Sequence, residues 1–285
     1  MRVRPQSIRP AAVAGSWYPR AAAELGREVD TYLETVRETP TGEIVALIAP
    51  HAGLMYSGPV AAHAYRAVAG RAFDVAVLVG PSHYVDFDGV AVYERGAFDT
   101  PLGPVPVGET YAEALSAAWP SIRPYTAAHT REHSLEMQLP FLRRVLPETP
   151  IVPLVMGHQH RETILDLSAA LGKVLTGTRA LLVASTDLSH YFDARRAGVL
   201  DGRVVDYVRR FDADGLLNEF ESYPEHERGR CVACGGGPAI AVMLAAKAMG
   251  ATHAAVLRYA DSGDVSGDKT AVVGYVAAVL GTFES

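Results

Sequence analysis

The feature of the sequence that most limits its fold is a regular alternation of short apolar runs with longer helical stretches. The apolar runs are rich in valine, isoleucine and leucine, and most lack the polar–apolar alternation of a half-exposed strand. Such runs are typical of strands whose sheet is covered on both faces. They predict strands at residues 44–49, 74–79, 90–93, 151–155, 181–185, 254–259 and 271–280.

Stretches with helical composition separate these strands. They lie at residues 21–38, 58–69, 110–118, 134–145, 162–175, 194–211 and 238–249. Strands that alternate with helices predict an α/β fold, with a mainly parallel or mixed central sheet flanked by helices. No stretch has the composition of a linker, so we expect one domain over residues 1–285.

Composition and charge exclude several classes of function. The 26 Lys and Arg residues against 32 Asp and Glu residues give a net charge of −6, which disfavours a nucleic-acid-binding protein. We expect neither a signal peptide nor a membrane span, because no apolar run approaches the roughly 20 residues that a span needs. Two cysteines cannot form a disulfide framework, so we expect a reducing, cytoplasmic environment.

Histidine and aspartate residues follow three of the predicted strands. His51 and His83 each lie in a turn with proline or glycine directly after a strand, and Asp187 and His190 follow a later strand. Ligands of open α/β sheets bind at the carboxyl ends of the strands, so these side chains are expected at one edge. One such histidine alone is more simply a capping residue, but two in matching turns predict a metal site.

The residues leave the third metal ligand open between two candidates. Asp187 would complete a site of two histidines and a carboxylate. Cys234 precedes a run of three glycines and a predicted helix, where the helix N-terminus stabilises a thiolate. Cys231 completes a Cys-x-x-Cys pair, but without a second pair we interpret it as structural.

Two further histidines each have a structural and a functional interpretation. His133 lies beside the start of a predicted helix, where it is either part of a capping segment or a proton donor or substrate anchor over the pocket. His190 carries the same two alternatives with a better position after a strand. An unligated histidine near a metal suits acid–base work because its pKa lies near neutrality.

Seven ordered sequence blocks resemble those of the MEMO family, whose prokaryotic branch is called AmmeMemoRadiSam system protein B. The resemblance covers nearly the whole chain. The blocks are AGSWYP (14–19), APHAG (49–53), GPSH (80–83), EHSLEMQLP (132–140), STDLSHY (185–191), CG (234–235) and YADSGD (259–264).

The resemblance implies a fold similar to that of the class III extradiol dioxygenases, which use non-haem Fe(II). It implies that His51, His83 and Cys234 are the metal-proximal residues. It also implies that His190, His133 and Asp187 lie in the pocket, with His190 at the place of an acid–base histidine. Those dioxygenases use a glutamate as third ligand, whereas this chain has Cys234.

Two classes of function follow from the resemblance. The first is a metal-dependent oxidoreductase with iron or copper, or else zinc, because imidazoles suit all three ions and a thiolate favours Cu(I) or Zn. The second is a non-catalytic protein that binds a small molecule or a peptide, or an accessory to radical-SAM and AMMECR1-like partner proteins. Fold similarity alone does not decide between the two classes.

Overall fold

A mixed β-sheet forms the centre of the molecule. The computed structural model describes residues 8–283, so the first seven residues of the segment considered for a signal peptide lie outside the described part. The strands are β1 (Ile8–Arg9), β2 (Gly42–Ala49), β3 (Val75–Pro81), β4 (Val90–Val92), β5 (Ala97–Phe98), β6 (Val105–Pro106), β7 (Ile122–Pro124), β8 (Ile151–Met156), β9 (Ala180–Ser185), β10 (His190–Phe192), β11 (His253–Asp261) and β12 (Val272–Phe283). All seven predicted strands are confirmed, with ends that differ by a few residues.

The sheet is parallel at its centre and antiparallel on both sides of it. Its order is β10-β12-β2-β9-β3-β8-β4-β7, and β11 pairs with β12 outside this path. Strands β2, β9, β3 and β8 run parallel to one another, whereas β12 is antiparallel to β2 and β4 is antiparallel to β8. The α/β prediction is therefore confirmed in its mixed form. Strand β12 runs antiparallel to β11 because the ten residues between them are too few for a parallel crossover.

Helices pack on both faces of this sheet. They are α1 (Ala22–Thr35), α2 (Leu54–Val68), α3 (Glu109–Ala118), α4 (Thr126–Thr130), α5 (Leu139–Val145), α6 (Arg161–Val174), α7 (Ala194–Arg209), α8 (Ala213–Glu221), α9 (Glu225–Cys231), α10 (Gly236–Ala248) and α11 (Gly263–Ser266). All seven predicted helices are present. The one predicted at 134–145 is shorter, because a 3₁₀ turn at Glu136–Gln138 precedes α5 and Pro140 occupies its first turn, where a missing N–H costs nothing.

The helix that follows the glycine run is apolar all round. Ten of the 13 residues of α10 are buried, because the helix packs between the sheet, α6 and α8. Within residues 8–283, no single helix has the length and apolar composition needed to cross a membrane. Helices α9 and α10 meet that criterion only as a pair, which is bent by 77°.

The four parallel strands bring their carboxyl ends to one edge of the sheet. Two residues after β2, β3, β9 and β8 end, the chain places His51, His83, Asp187 and His158, respectively. This repeated spacing puts four chemically active side chains on the same side of the molecule, as expected for parallel strands.

Candidate metal centre

His51 is held so that one ring nitrogen faces the centre of the cluster. Its Nδ1 lies 2.9 Å from Ser185 Oγ, and the Ser185 hydroxyl donates its single hydrogen to the carbonyl of Ser134 at 2.6 Å. Ser185 Oγ must therefore accept the Nδ1–H of His51. Nε2, which lies 3.2 Å from Cys234 Sγ, is therefore the ring nitrogen available to a metal.

His83 is oriented in the same way by a buried carboxylate. Glu132 accepts the backbone N–H of His83 at 2.6 Å and its Nδ1–H at 2.9 Å. Burial raises the pKa of Glu132, but the hydrogen bonds and charge of His83 outweigh it and hold this pKa at about 2. Burial lowers the pKa of His83, yet its hydrogen bonds to Cys234 and Glu132 raise it to about 10. Without a metal His83 is therefore an imidazolium, and because Glu132 holds its Nδ1–H, Nε2 is the nitrogen that would give up its proton to bind a metal.

Cys234 is placed by the glycine run that follows it. The Gly235 N–H donates to Thr186 Oγ1 at 2.9 Å, and a Cβ at Gly235 would lie 2.4 Å from the carbonyl oxygen of Ser185. Only glycine lets this loop come so close to β9. The carbonyl of Cys234 accepts a hydrogen bond from Gln159 at 2.7 Å, which fixes the loop from its other side.

The thiol of Cys234 is activated by the two histidines. Burial raises its pKa, but the charge of His51 and the hydrogen bonds from His51 and His83 outweigh burial and lower the pKa to about 6. Cys234 is therefore a thiolate at neutral pH. The ligand atoms of His51, His83 and Cys234 all lie within 4.8 Å of one another, which is a fitting donor set for a first-row transition metal.

Asp187 lies beside this cluster with a different set of contacts. Its Oδ1 accepts the backbone N–H of His51 at 2.7 Å. Burial raises the pKa of Asp187, and the nearby charge of His190 opposes that rise. Among the described residues, Asp187 belongs to none of the groups whose ligand atoms converge, so of the two candidates for third ligand the geometry favours Cys234.

The remaining predicted pocket residues, His133 and His190, flank the cluster. The ring of His133 stacks on that of His83 with centroids 4.5 Å apart and lies 4.3 Å from that of Trp17. Burial and the charges of His51 and His83 lower the pKa of His133 to about 3, so it is neutral. His190 has a buried Nδ1 without a hydrogen-bond partner among the described residues.

All six predicted site residues line one cavity of about 460 Å³. Six further residues line it, and Trp17, Tyr191 and Arg230 are the three of them with large aromatic or charged side chains. Tyr191 is 68% exposed at the mouth, and Arg230 lies over the ring of Phe192, 4.6 Å from its centroid. The sequence signals for Trp17 and Glu132 were their blocks, AGSWYP and EHSLEMQLP, but neither residue type suggests its role on its own.

Known proteins match this chain over nearly its whole length. A family model described as Memo-like protein matches residues 9–279. A MEMO1 family protein of Methanosarcina mazei is 37% identical over 96% of this chain and 99% of its own. One from Methanothermobacter thermautotrophicus is 37% identical over 94% and 98%. The crystal structure of the uncharacterized protein JW3007 from Escherichia coli K12 has a TM-score of 0.52 and 12% identity, over 84% of this chain and 100% of that one, which is a likeness in fold alone.

Proposed function

The chain belongs to the Memo-like protein family, and from that premise we propose that it binds one redox-active metal ion, iron or copper, between His51, His83 and Cys234. We propose further that it acts as a metal-dependent oxidoreductase on a small molecule in the adjoining cavity. One observation carries the proposal. Two imidazoles have their Nδ1 atoms engaged by fixed partners, and their remaining nitrogens converge on a thiolate.

The donor set fits such an ion chemically. Two imidazoles suit iron, copper and zinc, and the thiolate adds a preference for softer ions such as Cu(I) or zinc. The bound metal would supply a Lewis acid or a one-electron redox centre beside the cavity. Both cysteines are free thiols, which supports a reducing, cytoplasmic environment for the same proposal.

The residues around the cluster have different roles in the proposed reaction. His190 holds or moves a proton, because its buried Nδ1 is unpaired in the described structure and it lines the same cavity as Asp187. His133 anchors the substrate as a neutral hydrogen-bonding group. Its Nδ1 lies 3.2 Å from the hydroxyl of Tyr84, a partly exposed residue. Trp17 covers the stacked imidazoles of His133 and His83.

The test is the metal content of protein purified without oxygen. We expect one tightly held iron or copper ion per chain after desalting, and the loss of this iron or copper in His51→Ala, His83→Ala and Cys234→Ala. His253→Ala is the matched control, because this exposed histidine lies on β11 away from the cavity. Retention of the ion by all three site variants would contradict the proposal.

A second candidate function is the binding of a ligand without turnover. The cavity lining combines the exposed ring of Tyr191 with the guanidinium of Arg230, which suits an anionic small molecule or peptide. The radical-SAM and AMMECR1-like partners implied by the resemblance belong to this alternative. Ligand binding that persists in His51→Ala, together with no oxygen consumption by the metal-loaded wild-type protein, would favour it.

A further inference from the structure

A second group of metal-binding side chains lies at the same edge of the sheet, outside the candidate metal centre. It consists of His158 and His160, which follow β8, and of Glu225 at the start of α9. The Nδ1 atoms of His158 and His160 each lie 3.8 Å from the same oxygen, Glu225 Oε1. The two rings are nearly parallel, with centroids 5.5 Å apart and an angle of 28° between their planes.

The spacing of these three atoms fits an ion better than it fits hydrogen bonds. An N–H···O hydrogen bond spans about 2.7–3.2 Å, so a separation of 3.8 Å is too long for one. Metal–ligand bonds of about 2.1 Å in a tetrahedral site place neighbouring ligand atoms about 3.4 Å apart. The gap between the two imidazoles and the carboxylate is therefore close to the size that one ion requires.

The backbone around the two histidines is fixed. The N–H of His158 donates to the carbonyl of Phe87 at 2.8 Å, and a Cβ on Gly157 would lie 1.9 Å from that same oxygen. The carbonyl of His160 accepts the N–H of Ile164 in the first turn of α6 at 3.0 Å. The imidazoles therefore project from a rigid segment, and little conformational entropy is lost when they bind an ion.

The residue between the two histidines ties this segment to the α9–α10 connection. Gln159 donates from Nε2 to the carbonyl of Cys234 and accepts the N–H of Gly237, both at 2.7 Å. Glu225, the third member of the group, begins the helix that leads into the same connection. The three side chains therefore approach one another from two segments that are already joined by hydrogen bonds.

We propose that His158, His160 and Glu225 form a second, solvent-facing site for a divalent transition-metal ion of the zinc type. Each of the three side chains is about half exposed, so an ion enters directly from solution. Two neutral imidazoles and one carboxylate give a ligand set that leaves a fourth position for water. The site shares no ligand with the candidate metal centre, and its occupancy does not depend on that centre.

The test is a titration of the full-length, metal-stripped protein with Zn²⁺, followed by calorimetry and by metal analysis after equilibrium dialysis. We expect two equivalents in the wild-type protein and one in His51→Ala. We also expect one equivalent in His160→Ala and none in the double variant His51→Ala/His160→Ala. Glu225→Gln, which keeps the shape of the side chain, should weaken Zn²⁺ binding at the second site at least tenfold in the His51→Ala background.

His226→Ala is the matched control, because His226 neighbours Glu225 and its side chain is 81% exposed without belonging to the group. It should bind as the wild-type protein does. The proposal is overturned if His51→Ala binds no Zn²⁺, or if His226→Ala weakens binding as much as His160→Ala. If instead the candidate metal centre fails and the second site stands, the wild-type protein binds one equivalent and His160→Ala none.

Discussion

The carboxylate behind His83 offers the sharpest test of the metal centre. Glu132 is 2% exposed and accepts three N–H groups: the backbone N–H and the Nδ1–H of His83, and the backbone N–H of Ser134 at 2.8 Å. Because His83 holds the pKa of Glu132 at about 2, the side chain is charged at every working pH. Glu132→Gln removes that charge while it leaves the volume of the side chain almost unchanged.

The size of the effect follows from these contacts. A glutamine can accept at only one of its two terminal atoms, so its amide N–H₂ must face an N–H group in either orientation. In one orientation the amide N–H₂ faces the backbone N–H of His83, so two donors meet without an acceptor. The other forces the proton of His83 onto Nε2, where it blocks the metal. Loss of a carboxylate that orients a ligating histidine typically costs 10–100-fold in metal affinity, or about 1.4–2.7 kcal/mol.

The assay is a competition between the protein and a coloured chelator for one equivalent of copper or iron. Glu136→Gln is the control, because Glu136 is also buried and accepts hydrogen bonds from Val13 N–H and Tyr18 Oη. Its partners, which also include Arg9, are none of the proposed ligands, so the affinity of the folded variant should stay within twofold of the wild-type value. An affinity of Glu132→Gln equal to that of the wild-type protein would refute the role assigned to the carboxylate.

Three further predictions concern groups outside this carboxylate. In metal-free protein at pH 7, iodoacetamide should modify Cys234 well before Cys231, because burial raises the pKa of Cys231 whereas His51 and His83 lower that of Cys234 to about 6. Burial lowers the pKa of His129 to about 3. Below about pH 6.5 this histidine therefore binds a proton in the unfolded chain but stays neutral in the folded chain. His129→Gln should therefore reduce the loss of unfolding free energy on acidification by about 1.4 kcal/mol per pH unit between pH 6 and 4, measured by urea unfolding. Gly235→Ala should cost about 1–3 kcal/mol and displace the thiol, because its Cβ would meet the backbone of β9, and both thermal unfolding and metal content should fall.

Each of the three has an internal comparison. Added metal should protect the reactive cysteine from alkylation, and equal labelling of both cysteines would contradict the assignment. If the unfolding free energy of His129→Gln fell with pH as steeply as that of the wild-type protein, His129 would be protonated in the folded state. Gly198→Ala is the control for the glycine variant: it lies within α7 with open space around it, so it should leave stability equal or higher.

The sequence could predict those parts of the site that depend on strand ends. His51, His83 and Asp187 each follow a buried strand by two residues, and parallel neighbours bring such positions together without further information. Cys234 could be predicted for a different reason, because a run of glycines indicates that two backbone segments come close together. Neither prediction requires knowledge of where a distant loop lies in the folded protein.

The contacts that orient the ligands could not be predicted in this way. Glu132 and Trp17 reach His83 and His133 from segments whose positions depend on tertiary packing, and neither residue follows a strand. Arg230 lines the cavity from α9, a helix that the apolar pattern did not indicate because it carries only one buried residue. The mixed character of the sheet was likewise left open, since the direction of β12 depends on its partners rather than on its own residues.

The direction of β12 also has a practical consequence for experiments at a surface. Because this strand is antiparallel to β2, Phe283 pairs with Gly42, at the end of β2 opposite to the one that His51 follows. Eight residues of extended chain separate the two ends of β2, a distance of about 25 Å at 3.3 Å per residue. A tether attached after Phe283 would therefore hold the protein with the cavity facing away from a sensor chip. Ligand capture could then be recorded on immobilised protein, with the mouth unobstructed.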